Sequence, residues 1–171
     1  MTQKLQGKIA LVTGGSRGIG RAIAERLLAE GCSVGICARN GDEVTRAVAT
    51  MQAGSPARVC GLAADVGDTV AVKRFVDAAA DALGGIDIVV ANVSALGGMP
   101  NEETWRASME LDMLGTVRVV EAALPWLEKS DAASIVAISS TAALEAFGGA
   151  RPYNAIKAAV INYVSNLATA L

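Results

Sequence analysis

The sequence predicts a doubly wound, Rossmann-like α/β domain: a parallel sheet with helices on both faces. Three observations predict it. Short apolar runs at 9–13, 33–38, 58–63, 86–91 and 134–139 alternate strictly with helical patterns. These runs are mostly apolar rather than alternating, as strands covered on both faces are. A glycine turn, Leu-Val-Thr-Gly-Gly-Ser-Arg-Gly-Ile-Gly at 11–20, joins the first strand to the first helix. At 171 residues, with no linker, repeat or low-complexity stretch, the chain reads as one domain covering 1–171.

The elements follow in order. Strand 9–13 runs into the turn, and Ile19, Ile23 and Leu27 then recur every four residues. Arg21/Glu25 and Arg26/Glu30 are charge pairs on the outer face, and Gly31 stops the helix. After strand 33–38, Asp42 is placed to cap a helix carrying Val44, Val48 and Met51, and Gly54-Ser55-Pro56 ends it. Strand 58–63 is followed by a helix that Asp68 starts and Gly84-Gly85 closes, with Val72, Phe75, Val76 and Ala79 on one side. Strand 86–91 is interrupted only by Asp87. A long helix is predicted over 102–127. The last helix begins near Pro152, a residue at home in a first turn, and runs to Leu171.

Composition narrows the function. Hydrophobic residues make up 52% and aromatics only 4%, so small aliphatics pack closely spaced layers. A net charge of −2 without charge runs argues against nucleic acid or an anionic membrane surface as partner. The absence of histidine removes His-based triads and most zinc sites. Cys32, Cys37 and Cys60, without C-x-x-C spacing, read as buried reduced thiols. A polar N-terminus and no apolar run of roughly 18 residues point to a cytoplasmic protein.

Ligands of such sheets sit beyond the carboxyl ends of the strands. There the glycine turn meets a helix N-terminus, where free N–H groups and the dipole suit a pyrophosphate. The same rim collects Ala38-Arg39, Asp65-Val66, Asn92 and Ser139-Ser140. Tyr153 and Lys157 lie four apart in the last helix, on one face. An ammonium beside a phenol favours the phenolate and makes it a usable acid or base near neutral pH. The plain alternatives are a ligand-free turn, an ordinary serine turn and a helix-surface pair.

Together these residues resemble the short-chain dehydrogenase/reductase family in its single-domain form, over about 8–171. Thr13, Gly14, Gly18 and Gly20 match its Thr-Gly-x-x-x-Gly-x-Gly, Asp65-Val66 its adenine-binding pair, and Ser140, Tyr153 and Lys157 its catalytic spacing. Within the family the chain is most similar to 3-oxoacyl-(acyl carrier protein) reductases and related carbonyl reductases. The resemblance implies that Tyr153 exchanges the proton of a carbonyl oxygen, that Ser140 orients that oxygen, and that Lys157 assists Tyr153 and holds the nicotinamide ribose. It implies that Thr13, Gly14, Ser16, Arg17, Gly18, Ile19, Gly20, Arg39, Asp65, Val66 and Asn92, with Tyr153 and Lys157, bind the cofactor. No acidic residue ends the second strand, while Arg17 and Arg39 suit a 2′-phosphate, so NADP(H) is expected over NAD(H). No metal is expected.

The chain departs from the family pattern in three places. Ser94 stands where the family has glycine after Asn92. Asp112 stands where it has an asparagine that anchors a water behind the lysine, and is expected either to take over that role or to pair with Lys157. The two further strands of the family fold have no counterpart before Leu171, so the sequence reads as a fragment whose strand 134–139 is an uncovered edge. Apolar stretches 95–99 and 144–147 suit an acyl or alicyclic carbonyl substrate. Leu111, Val117, Val120, Val160, Val164 and Leu167 suggest a homodimer or homotetramer. Two further readings are a non-catalytic dinucleotide-binding module and an extended sugar-nucleotide epimerase. The tighter glycine turn of the epimerase is absent.

Overall fold

The computed structural model describes residues 4–96, 99–145 and 151–170. Five parallel strands form one sheet: β1 (Ile9–Thr13), β2 (Ser33–Ala38), β3 (Val59–Ala63), β4 (Ile88–Ala91) and β5 (Ser134–Ala137). Their order is β3-β2-β1-β4-β5, so the chain reverses its direction of travel between β1 and β4. That switch point opens the crevice in which ligands of such sheets bind. In register, Thr13 pairs with Cys37 and Val12 with Val90.

Alternate residues of the central strands feed two cores. Ala10, Val12, Val34, Ile36, Ile88 and Val90 face α1 (Gly18–Ala29) and α2 (Gly41–Ala53) through Ala24, Leu28, Val44, Ala47 and Met51. Leu11, Cys37 and Val89 face α3 (Thr69–Leu83) and α5 (Gly115–Leu127) through Val72, Phe75, Val76, Val119 and Ala123. The helix α6 (Pro152–Ala170) packs beside β5 on the α5 side. β1, β2 and β4 are buried almost throughout, whereas the edge strands β3 and β5 are partly open. Val136 of β5 is exposed, as expected of an edge.

Several details correct the sequence reading. The cap of α2 is Asn40, whose side chain accepts from the Glu43 amide at 3.1 Å; Asp42 lies inside the first turn. Ile19 is 65% exposed, and the buried stripe of α1 is instead Gly20, Ala24 and Leu28, because small residues let the helix approach the sheet. The predicted helix over 102–127 is three segments: α4 (Glu102–Ser108), a π turn over Met109–Leu114, and α5. Val120 and Val160 are core residues, not oligomer-facing ones. The exposed apolar residues of these helices are Trp105, Met109, Leu114 and Ile161.

Strands 58–63, 86–91 and 134–139 are each shorter than their apolar runs. Arg58 turns away to donate to the Ala82 and Leu83 carbonyls at the end of α3. Asp68 caps α3, and Gly84 closes it at φ +97°. The three cysteines are free thiols, Cys32 and Cys37 buried. Burial pushes Cys37 up to about 12 and Cys32 up to about 11.

Candidate active site

The glycine turn is shaped by contacts a side chain would block. A Cβ on Gly20 would lie 2.4 Å from the Gly14 carbonyl oxygen, and one on Gly15 2.6 Å from Ile36 Cγ2. Gly14 and Gly18 have φ of +66° and +58°, which L side chains rarely adopt. The space beside Gly18 is open. Gly15 is no part of the family pattern quoted above; its need comes from Ile36 in β2, the next strand of the chain.

The N-terminus of α1 differs from its neighbours. Side chains of Asn40, Asp68 and Asn101 cap α2, α3 and α4, but α1 begins at Arg17 with no side-chain cap. Its first-turn N–H groups therefore face the rim unsatisfied by a side chain, the arrangement that holds an anion. A bulky diphosphate fits an open, Cβ-free turn of this kind. Ser16 is buried and donates to Glu43 at 3.5 Å, tying the turn to α2. Arg17, Gly18 and Ile19 are exposed on this turn, and Arg39 is exposed at the end of β2.

Thr13 and Asn92 close the switch point. The Asn92 amide donates to Thr13 Oγ1 at 3.0 Å, and the Asn92 side chain donates to the Thr13 carbonyl at 3.0 Å. The Asn92 side chain also fills the space that Cβ atoms on Gly14 and Gly20 would need. Asp65 accepts from the Gly67 amide at 2.9 Å, which fixes its carboxylate beside the buried Val66. Ser94, in the family's glycine place, accepts from the Leu96 amide at 3.0 Å. Leu96 takes φ +60°, strained for a leucine, and its side chain is exposed.

The tyrosine-bearing end is organised around Lys157. Its ammonium is buried, donates to the Ile138 carbonyl at 2.9 Å and pairs with Asp112 Oδ1 at 3.0 Å. It lies 5.7 Å from the centre of the half-buried Tyr153 ring. The Ser139 hydroxyl donates to the Lys157 carbonyl, anchoring α6 to the end of β5. Ser140 caps a short 3₁₀ turn, Thr141–Ala143, by accepting from the Ala142 amide at 3.2 Å. That bond uses an oxygen lone pair and leaves the hydroxyl proton to donate.

Asp112 is more than a helix residue. Its side chain is fully buried; Oδ2 accepts from the Ala95 amide at 2.9 Å, and its carbonyl accepts from Thr116 at 2.7 Å. The carboxylate therefore joins the loop after β4 to α6. The π turn widens the helix at this point, and such turns recur at functional sites. A buried charge is tolerable here because its partner is also buried and both make further bonds. Of the two roles expected for Asp112 from the sequence, the structure shows the pairing with Lys157, which the packing of the π turn on α6 brings about.

The stretches expected to face substrate are partly described. Leu96, Met99 and Leu144 are each at least 75% exposed at the rim, whereas Gly97, Gly98, Ala146 and Phe147 lie outside the described residues. Among the described residues no group of three or more acidic or cysteine side chains is placed to hold a metal. No helix among them is long and apolar enough to cross a membrane.

Comparison with known proteins agrees with this geometry. Residues 8–171 match the family model described as short chain dehydrogenase. An isoepoxydon dehydrogenase, patN, of Penicillium expansum is 36% identical over 170 residues, 98% of this chain and 66% of that protein. A short chain dehydrogenase of Burkholderia cenocepacia solved in complex with NADP superimposes with a TM-score of 0.89 at 36% identity, over 98% of this chain and 70% of the other. A short chain dehydrogenase/reductase of Burkholderia phymatum solved in complex with NAD gives 0.91 at 28% identity, over 98% and 61%. The chain spans 61–66% of the length of the curated relatives it matches.

Proposed function

Because the chain belongs to the short-chain dehydrogenase family, we propose that it is the dinucleotide-binding and catalytic part of an NADP(H)-dependent oxidoreductase acting on a carbonyl or secondary alcohol. The observation that carries this reading is Lys157, buried and fixed by Asp112 and the Ile138 carbonyl, beside the Tyr153 ring on the rim where α1 begins uncapped. A lysine desolvated this way is placed to act on its neighbours rather than on solvent.

The cofactor, when bound, supplies hydride to the carbonyl carbon or takes it from the alcohol. The first turn of α1, with Thr13, Gly14, Ser16, Gly18, Ile19 and Gly20, holds its diphosphate. Asp65 and Val66 hold the adenine end, and Asn92 shapes the floor between them and the reacting carbon. Tyr153 donates its proton to the carbonyl oxygen as negative charge develops there, and takes it back in oxidation. The Ser140 hydroxyl donates to the same oxygen and orients it. Lys157 supports Tyr153 in this exchange, and its remaining N–H would serve the cofactor ribose. Asp112 holds Lys157 and serves in place of the family's asparagine.

Arg17 and Arg39 favour NADP(H). Both are exposed on the adenosine side, and neither guanidinium has a protein partner among the described residues. Relatives solved with NADP and with NAD both exist, so the preference rests on these two arginines. The exposed Leu96, Met99 and Leu144 suit an apolar acyl or alicyclic carbonyl compound, and one relative is named an isoepoxydon dehydrogenase. The protein acts in the cytoplasm as a homodimer or homotetramer.

A second reading, a dinucleotide-binding module without turnover, is favoured by Ser94 and by the charged Asp112 in place of the family residues. One experiment separates the two. NADPH binding is followed by its fluorescence, and its consumption is followed with an acetoacetyl or cyclic ketone substrate. The enzyme reading expects turnover that Tyr153→Phe abolishes while NADPH binding persists; binding without turnover in the full protein supports the module.

A further inference from the structure

The Asp112–Lys157 pair has an unsettled neighbour. Among the described residues, two buried side-chain atoms lack a hydrogen bond: Ser108 Oγ and Asp112 Oδ1. Ser108 is 0% exposed, the last residue of α4, and Asp112 lies one turn on in the π turn. Residues four apart on a helix share a face. Asp112 Oδ1 meets the Lys157 ammonium at 3.0 Å, yet a carboxylate oxygen accepts more than one bond. A buried hydroxyl is very rarely left unpaired. An alanine at this buried place would avoid the cost of burying an oxygen altogether. Two buried polar atoms are the fewest partners that hold an internal water.

We propose that Ser108 is a positioning residue for Lys157: one internal water bridges the Ser108 hydroxyl and Asp112 Oδ1 and holds the carboxylate against the ammonium. Oδ2 is already fixed by the Ala95 amide. Oδ1 meets the Lys157 ammonium, and the water gives it a second donor, so the carboxylate keeps its orientation toward the ammonium more firmly. The consequences for turnover rest on the function proposed above; the water and the aim of Lys157 do not.

Four measurements test this. A high-resolution crystal structure of the protein is expected to show ordered solvent within hydrogen-bond distance of both atoms. A Ser108 hydroxyl bonded straight to Asp112, or no ordered solvent, overturns the proposal. In the crystal structure of Ser108→Ala, the Asp112 carboxylate is expected to rotate and its contact with Lys157 to lengthen; an unchanged contact overturns the positioning role. In solution Ser108→Ala is expected to lower Tm by about 2–4 °C, and Ser108→Thr to restore it. A Ser108→Ala protein as stable as the parent shows the hydroxyl to be idle. Where the parent turns over NADPH, Ser108→Ala is expected to slow it about fivefold, with rescue by threonine; lost stability with unaltered turnover marks the hydroxyl as merely structural. A parent that binds no NADPH refutes the functional reading, while the two crystal structures still decide the water and the aim of Lys157.

Discussion

Two buried or half-buried aspartates sit at opposite ends of the sheet. At the amino ends of the strands, Asp87 accepts from the Ile9 amide at 2.8 Å and from the Ser130 hydroxyl, and lies 3.8 Å from Lys8. Its backbone pairs with Ile9 and Ser134, so one residue gathers the starts of β1, β4 and β5. Lys8 is itself drawn off to Asp131 at 2.7 Å. At the carboxyl ends, Asp112 also joins three pieces of chain, but Lys157 keeps a donor in hand, and Ser140 keeps its proton. At the first end Asp87 makes its bonds within the chain. The second end holds donors in reserve, under an uncapped helix and beside two arginines without a protein partner among the described residues. The proposed function rests on the end with polar groups left over.

This contrast can be broken at either end. Gly20→Ala has the largest expected effect, because its Cβ meets backbone that cannot move aside. It is expected to cost about 2–3 kcal/mol in urea unfolding and to abolish nucleotide binding. Asp87→Ala removes the carboxylate bonds to the start of β1, at the Ile9 amide, and to the Ser130 hydroxyl in the turn before β5. It is expected to cost about 1.5–3 kcal/mol while leaving NADPH affinity unchanged in the folded protein. Loss of affinity with intact fold would show that the two ends are not separate in role.

Arg39→Asp probes the reserve directly. NADPH affinity is expected to fall about tenfold, the scale of one charge-assisted contact, and NADH affinity to hold or improve. Unchanged preference would remove the arginine from the cofactor site. Cys37, under the glycine turn, gives a pH test. Burial raises its thiol from 9.0 to about 12, so the folded chain keeps the proton that the unfolded chain loses. Its stabilisation is complete below pH 9 and is lost progressively as pH rises toward 12, by about 1.4 kcal/mol per unit. Cys37→Ala is expected to flatten that alkaline slope in denaturant titrations.

Much of the nucleotide end was legible in the sequence because it is local. Thr13 to Gly20 is one strand end, one turn and one helix start, and Gly14, Gly18 and Gly20 answer to a positive φ or to a neighbour within the turn, while Gly15 answers to Ile36 in β2. The helix caps were less legible: Asn40 and Asp42 are both good caps, and only the observed bond to the Glu43 amide chooses Asn40. The stripe through Ile19 misled because this second residue of α1 belongs to the rim, not the core. Least legible was the surrounding of Lys157. The pairing of Asp112 with Lys157 is among the sequence expectations, but Ala95 and Ile138 come from separate segments, and the π turn that aligns Asp112 has no signature in propensity.

The most direct test of the account is a fluorescence titration of the protein with NADPH and with NADH, side by side. Saturable binding of both, tighter for NADPH, is the expected result. No saturable binding of either, or tighter binding of NADH, would contradict it.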